Sequence, residues 1–210
     1  MPRTRVKVCG VRDIDAALAA ADAGADAVGL MFVEGSPRCI SPEQGFEILA
    51  NLPPLVTGVG VVQDLSVDDF SDLEQVCPAP VFQFHGSEPE KTVRACGPGV
   101  IKAFKFESET IAADLARWEA VDEVDLVLID GSAGGEGKAF DWTALGEASQ
   151  ATSKLIMLAG GLTPDNVGDA IRAVRPFAVD VSSGVESAPG IKDQARIEAF
   201  CAAVRDADAG

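Results

Sequence analysis

The sequence predicts an α/β fold, a single-domain (β/α)8 barrel over residues 1–210. Two observations support this prediction. Eight short β-rich apolar runs alternate with amphipathic helical segments, and most of the runs are continuously apolar, as expected for parallel strands buried on both faces. Eight such units in 210 residues favour a closed barrel over an open sheet, which would leave two edge strands. No linker or shift in composition marks a second domain.

The individual elements are predicted from β-rich runs and from helix caps. In chain order the strands are VKVCG, AVGLMF, LVTGVGVV, VFQFHG, VIKAFKF, LVLIDG, LIMLAGG and AVDVSSG. Helices begin where a capping side chain or a proline satisfies or removes unpaired N–H donors. These starts are Asp13, Ser41–Pro42 with Gln44, Ser87 with Pro89 and Glu90, and Thr163–Pro164. Gly24 and Gly97 are predicted to end helices at a positive φ.

Composition and charge exclude several classes of function. The chain is 47% hydrophobic, and none of its apolar runs approaches the ~20 residues that span a bilayer. No secretory signal precedes the first strand, so we expect a cytoplasmic protein without membrane contact. The net charge of −16 makes a nucleic-acid partner improbable. Acidic residues are dispersed along the chain, which favours a protein of a high-salt cytoplasm over an ordinary acidic bacterial enzyme.

Cysteine and histidine usage limits the possible chemistry. The five cysteines are scattered and form no CxxC pair, which argues against a disulfide framework and a zinc site. His85 is the only histidine, so a mechanism with two imidazoles or a histidine-rich metal site is excluded. We therefore predict no metal ligands.

In a barrel of this type, the active site lies at the carboxyl ends of the strands. The predicted ends are Cys9, Phe32, Gln63, His85, Lys105, Asp130, Gly160–Gly161 and Ser182–Ser183–Gly184. Cys9 alone is more typical of a small buried hydrophobe than of a reactive thiol. Asp130 ends a run of apolar residues where a carboxylate would be costly in a core, although it could cap the following loop. The sequence therefore predicts a thiol and a carboxyl facing one mouth.

Three glycine-rich segments follow the late strands and predict a phosphate site. Backbone N–H groups in such loops, aided by helix dipoles, bind anions. The predicted phosphate residues are Gly134 and Gly135 after the sixth strand, Gly160 and Gly161 after the seventh, and Ser182, Ser183 and Gly184 after the eighth.

Six segments together resemble one family. KVCGVRD, GLMFVEGSPRCIS, FQFHG, LIDGSAGGEGKAFDW, LAGGLTPDNV and VDVSSGVESAPGIKD occur in order between residues 7 and 193. They closely resemble the phosphoribosylanthranilate isomerases of tryptophan biosynthesis. Val8, Phe84 and Glu136 depart from the family's usual isoleucine, leucine and threonine. Glu136 places an acidic side chain near the presumed phosphate loop.

The resemblance implies the Amadori rearrangement of N-(5-phosphoribosyl)anthranilate to 1-(2-carboxyphenylamino)-1-deoxyribulose 5-phosphate, without metal or organic cofactor. By the same resemblance, Asp130 is the general acid, and its pKa must be raised. Cys9 is the general base and needs an environment that favours thiolate. Arg38 is expected to hold the anthranilate carboxylate, which its planar guanidinium suits, with a surface helix cap as the alternative.

Several alternatives remain open at this point. Lys7 shares the side of its strand with Cys9 and is either an ion-pair partner or a thiolate stabiliser. His85 is either a structural histidine or a substrate contact. The chain could also be another phosphosugar isomerase or epimerase, such as the related histidine-pathway aminoaldose isomerase, or a non-catalytic phosphosugar-binding regulator. Monomer and homodimer are both compatible with the sequence.

Overall fold

The predicted (β/α)8 barrel is confirmed in a computed structural model that describes residues 3–131 and 141–210. Eight parallel strands form a closed barrel in sequential order, β1 next to β8. Their bounds are β1 Arg5–Cys9, β2 Ala27–Met31, β3 Thr57–Val62, β4 Val81–Phe84, β5 Val100–Lys105, β6 Val124–Asp130, β7 Leu155–Ala159 and β8 Ala178–Val181.

A helix follows each strand and packs on the outside of the barrel. The helices are α1 Ile14–Ala23, α2 Pro42–Asn51, α3 Val67–Val76, α4 Glu90–Cys96, α5 Ile111–Glu119, α6 Trp142–Ala148, α7 Val167–Val174 and α8 Gln194–Ala209. Between β8 and α8 lies a small antiparallel hairpin of β9 Glu186–Ala188 and β10 Ile191–Lys192. In the described parts of the chain, no helix is long and apolar enough to cross a membrane.

Two apolar clusters arise from the alternation of side chains along the strands. Val6 and Val8 of β1 belong to the larger cluster, between barrel and helices. The smaller cluster fills the barrel interior and consists of Val59, Ile101, Ala103, Leu126, Leu128, Met157, Ala159 and Ala178. Because the side-chain period of a strand is two, Lys7 and Cys9 lie on the interior side of β1, and Asp130 follows Leu126 and Leu128 on the interior side of β6.

The helix caps confirm part of the sequence prediction. The Asp13 carboxylate accepts a hydrogen bond from Ala16 N at 2.8 Å, and Ser41 forms a reciprocal capping box with Gln44. Gly24 ends α1 at φ 102° as predicted.

Two helix starts, and the backbone angle at one helix end, were predicted wrongly. Ser87 does not cap α4, because Pro89 is its N-cap and Ser87 N instead donates to Asp64 Oδ1. Gly97 follows the end of α4 as predicted, but its φ is −84° rather than positive, since the residue before a proline favours extended backbone. Residues Pro164 to Asn166 form a turn, and α7 begins only at Val167.

Candidate active site

The mouth of the barrel encloses a cavity of about 280 Å³ at the carboxyl ends of the strands. Its lining residues are Cys9, Met31, Arg38, Gln83, His85, Asp130, Ala159, Gly160, Gly161, Leu162, Asp180, Ser182 and Ser183. A more open groove of about 530 Å³ lies outside the barrel beside α1 and the hairpin, and its lining contains no thiol. The mouth cavity is thus where the predicted site residues meet.

Four of the predicted strand-end residues, Phe32, Gln63, Lys105 and Gly184, do not line this cavity. Phe32 lies on the other face of its strand from Met31 and packs toward α2, where a side chain on Gly45 would touch its ring. Gln63 and Lys105 are exposed to solvent. An error of one residue at a strand end reverses the face on which a side chain lies, which accounts for Phe32.

Cys9 ends β1 with only 4% of its surface exposed. Next to it, Lys7 Nζ lies 2.9 Å from Asp180 Oδ1, and this ion pair is buried. Lys7 is therefore an ion-pair partner, and its ammonium also acts electrostatically on the thiol. Burial is the largest single influence on the pKa of Lys7 and lowers it, but Asp180 and Cys9 together outweigh this effect, so the pKa is raised.

The pKa of the Cys9 thiol is raised, chiefly because burial disfavours the thiolate. Asp180 raises it further, whereas the ammonium groups of Lys7 and Lys192 lower it. The two ammonium groups reduce the effect of burial on this pKa without overcoming it.

Asp130 ends β6, three strand steps from Cys9 around the barrel. His85 Nε2 lies 3.6 Å from Asp130 Oδ2, and Gln83 Nε2 lies 2.8 Å from His85 Nδ1. When the Gln83 amide donates to Nδ1, the proton of a neutral imidazole is on Nε2, facing Asp130. His85 thus faces the site rather than the barrel wall.

In this orientation Gln83 Oε1 is buried and accepts no hydrogen bond from the described residues. Buried polar atoms are nearly always paired, so this unpaired oxygen is an exception within the described residues. The sequence prediction missed Gln83, although its position two residues before His85 on the same strand placed both on one face.

The loops after β7 and β8 approach each other closely at the mouth. A methyl group on Gly184 would lie 1.9 Å from Leu162 O, so only glycine permits this contact. Gly160 and Gly161 have positive φ angles of 91° and 64°, which suit glycine. The predicted residues Gly134, Gly135 and Glu136 lie outside the described residues.

Ser182 has a structural contact in addition to its place in the cavity lining. Its hydroxyl donates to Cys9 O at 3.1 Å, which ties the β8 loop to the end of β1. Its own carbonyl accepts a hydrogen bond from Lys192 Nζ at 3.1 Å.

Arg38 lies in the loop after β2, and its side chain lies over the backbone of Gly10. A methyl group on Gly10 would be 2.4 Å from Arg38 Cδ, which explains why glycine follows the thiol. Arg38 Nε and Nη2 donate to the two carboxylate oxygens of Glu186 at 2.7 and 2.8 Å. Sequence reasoning found Arg38 but missed Glu186.

The sequence prediction also missed Asp180 and Lys192. Asp180 could have been found from the sequence, because Lys7 and Asp180 are opposite charges that each interrupt an apolar run. In the structure the two residues are register partners in β1 and β8. Lys192 lies in a two-residue strand, too short to show periodicity. Within residues 3–131 and 141–210, no group of three or more histidine, cysteine or acidic residues is placed to hold a metal.

Comparison with known proteins gives a consistent result. Residues 6–203 match the family model described as N-(5'phosphoribosyl)anthranilate (PRA) isomerase. The N-(5'-phosphoribosyl)anthranilate isomerase of Pseudomonas fluorescens is 44% identical over 207 residues, which cover 98% of this chain and 97% of the relative.

Solved structures agree with this match. Phosphoribosyl anthranilate isomerase from Thermotoga maritima superposes with a TM-score of 0.86 at 38% identity, over 97% of this chain and 99% of that chain. A phosphoribosyl anthranilate isomerase in complex with reduced 1-(o-carboxyphenylamino)-1-deoxyribulose 5-phosphate superposes with a TM-score of 0.84 at 37% identity, with the same coverage. The chain therefore belongs to the N-(5'-phosphoribosyl)anthranilate isomerase family.

Proposed function

We propose that the mouth cavity is the site at which this chain, an isomerase of tryptophan biosynthesis, rearranges N-(5'-phosphoribosyl)anthranilate to 1-(2-carboxyphenylamino)-1-deoxyribulose 5-phosphate. One observation carries the assignment of the site. A thiol and a carboxyl, Cys9 and Asp130, line one cavity from separate strands, with the Arg38 side chain and glycine-rich loops in the same lining. The substrate carries a carboxylate and a phosphate at opposite ends, and this lining offers a partner for each.

The first step is ring opening, with Asp130 as the general acid. The protonated carboxyl gives its proton to the furanose ring oxygen, the bond from C1 to that oxygen breaks, and the nitrogen lone pair forms the C1–N double bond of a Schiff base. The His85 imidazole lies 3.6 Å from the Asp130 carboxyl, where the imidazole can orient the carboxyl. Gln83 in turn fixes His85 through its 2.8 Å hydrogen bond.

The second step is proton abstraction, with Cys9 as the general base. The thiolate takes the C2 proton, and the electron pair of that C–H bond forms the C1–C2 double bond of an enolamine. Lys7 and Lys192 favour the thiolate electrostatically, opposing the effect of burial on its pKa. The enolamine then tautomerises to the C2 ketone and gains a proton at C1. Cys9 holds one proton more and Asp130 one fewer than at the start, so a proton exchanged with solvent restores both.

Binding is assigned to two ends of the cavity. Arg38 holds the anthranilate carboxylate through donors that Glu186 does not use. Backbone N–H groups of the loops at Gly160–Gly161 and Ser182–Gly184 hold the phosphate, since glycine-rich turns expose such donors. A cytoplasmic location, and a monomer or homodimer, remain predictions from the sequence.

A turnover assay tests this function. The purified protein is mixed with N-(5'-phosphoribosyl)anthranilate, and the loss of substrate fluorescence is followed. We expect turnover with this substrate and much slower turnover with the aminoaldose substrate of the histidine pathway. Saturable binding without turnover would instead support a phosphosugar-binding regulator, and preference for the histidine-pathway substrate would reassign the reaction.

A further inference from the structure

We propose that Glu186, fixed by Lys192, is a positioning residue that orients the Arg38 guanidinium so that its outer edge faces the substrate carboxylate. This inference rests on the proposed role of Arg38 in binding that carboxylate. It concerns the hairpin β9–β10, which contributes Glu186 and Lys192 but neither of the two proton-transfer groups.

The geometry of the Arg38–Glu186 pair decides which donors remain for a ligand. A guanidinium has five N–H donors and two edges that can each meet a carboxylate with two parallel hydrogen bonds. Glu186 takes the edge formed by Nε and Nη2, at 2.7 and 2.8 Å. The outer edge keeps one hydrogen of Nη1 and one of Nη2, and no described residue accepts a hydrogen bond from Nη1. A second carboxylate therefore fits on the outer edge while Glu186 holds the inner one.

Glu186 is itself fixed more firmly than a surface carboxylate would be. Its side chain is 4% exposed, and Lys192 Nζ, whose side chain is 2% exposed, donates to its Oε1 at 2.8 Å. Arg196 donates to the backbone carbonyl of Glu186. A bidentate bond to such a restrained carboxylate defines the plane of the Arg38 guanidinium before any ligand binds.

The turn of the hairpin also touches the loop that carries Arg38. A methyl group on Gly190 would lie 2.5 Å from Pro37 O, so the turn and this loop are in close contact. The hairpin therefore approaches the Arg38 loop at two points, through its turn and through the ion pair.

The charges of the cluster also favour an anionic ligand. The cluster of Arg38, Glu186 and Lys192 contains two cations and one carboxylate. When all three are ionised, it has a net charge of +1 at the mouth. The more exposed member is Arg38, with 20% of its side chain accessible, compared with 2% for Lys192. The excess charge is thus presented to the cavity by Arg38.

A pair of ligands isolates this role. The first is reduced 1-(o-carboxyphenylamino)-1-deoxyribulose 5-phosphate, and the second is the same molecule without its carboxyl group. Calorimetry gives the ratio of their Kd values, which reports recognition of the carboxylate alone. We expect the unchanged protein to favour the first ligand roughly 10- to 100-fold, the range for charge-assisted hydrogen bonds. Arg38→Ala should bring the ratio close to one.

Glu186→Gln is the decisive variant. It should lower the ratio at least ~5-fold, while the Kd of the ligand without the carboxyl group stays nearly constant, because the phosphate end is untouched. In the Arg38→Ala background, Glu186→Gln should have no further effect on the ratio, since its action passes through Arg38. Glu74→Gln, the same substitution at an exposed position of α3, is the matched control. If Glu186→Gln does not fold, Glu186→Gln/Lys192→Met avoids a buried unpaired ammonium and should show the same loss.

The outcomes separate the two hypotheses. A ratio near one in the unchanged protein, or an unaltered ratio in Arg38→Ala, would refute the carboxylate role of Arg38. A high ratio that collapses in Arg38→Ala but is unchanged or increased in Glu186→Gln would overturn only the positioning role of Glu186. Equal weakening of both ligands by Glu186→Gln would show a merely structural effect and would also overturn it.

Discussion

Replacing Gly184 with alanine would insert a methyl group between the two loops assigned to the phosphate. That methyl carbon would lie 1.9 Å from Leu162 O, whereas real Cβ contacts are essentially never below 3.0 Å. The loops must therefore separate by about 1.1 Å. A backbone N–H···O bond of ordinary length near 2.9 Å would then exceed the ~3.5 Å at which it counts as a hydrogen bond. We expect the phosphate end of the site to lose at least one such bond.

The size of the effect follows from that loss. A hydrogen bond to a charged group contributes ~1.5–3 kcal/mol, which corresponds to roughly a 10- to 100-fold weaker binding of phosphate. The strain should also lower the free energy of unfolding by ~1–3 kcal/mol. The readouts are the inhibition constant of inorganic phosphate in the turnover assay and a urea unfolding curve.

The matched control is Gly168→Ala in α7, where the nearest atom is Arg172 Nη1 at 3.3 Å on a flexible side chain. This control should weaken neither phosphate inhibition nor folding, because Ala is preferred to Gly in helices. An inhibition constant for Gly184→Ala within about twofold of the parental value, with normal stability, would refute the reasoning that these loops form the phosphate site.

Three further predictions concern pH and salt. Because burial raises the pKa of Cys9, kcat should increase with pH above neutrality as the thiolate forms. Cys9→Asp should remove that increase, since a carboxylate is already ionised at those pH values. A pH profile of kcat that is flat in the unchanged protein would contradict this prediction. Burial would raise the pKa of Glu88, but hydrogen bonds from Lys102 and backbone N–H groups outweigh burial and lower it. The stability that the buried Glu88–Lys102 pair contributes should therefore be lost as pH falls below ~4.3, where the carboxylate of the unfolded chain takes up a proton. Glu88→Gln should lower the free energy of unfolding by ~3–5 kcal/mol at pH 7, measured by urea unfolding, and should reduce its fall at acid pH. An unchanged fall at acid pH in this variant would contradict the prediction. Because the protein has a net charge of −16, its carboxylates repel one another, and the midpoint of thermal unfolding should rise from ~0.05 to ~3 M potassium chloride as screening increases. A flat or falling midpoint would contradict the prediction that this is a protein of a high-salt cytoplasm.

The barrel and the placement of Cys9 and Asp130 at its mouth could be predicted because both depend on local pattern, whereas their roles in proton transfer are implied by the family resemblance. Continuous apolar runs fix the strands, and the carboxyl end of a strand fixes the mouth, which is how Cys9 and Asp130 were found. The pattern is less informative about the last residue of a strand. Phe32 was predicted at the mouth, but its neighbour Met31 lines the cavity, since successive side chains point to opposite faces.

The partners of the site residues could not be predicted, because they depend on contacts between distant parts of the chain. Glu186 is 148 positions from Arg38, and the hairpin that carries it has strands of three and two residues. The pKa direction of Cys9 likewise depends on burial and on Lys7, Asp180 and Lys192 together. Only the folded arrangement gives the balance among these effects.

The most direct test of the acid–base mechanism compares turnover and binding in Cys9→Ala and Asp130→Asn. The assay measures kcat with N-(5'-phosphoribosyl)anthranilate and the Kd of reduced 1-(o-carboxyphenylamino)-1-deoxyribulose 5-phosphate for each variant. Cys96→Ala at the end of α4 and Asp125→Asn, exposed on β6, serve as matched controls with expected parental turnover. Each site variant should lower kcat at least ~10²-fold while the ligand still binds, as expected for loss of a general acid or base. Near-parental turnover in either variant would remove that residue from the mechanism and contradict the account.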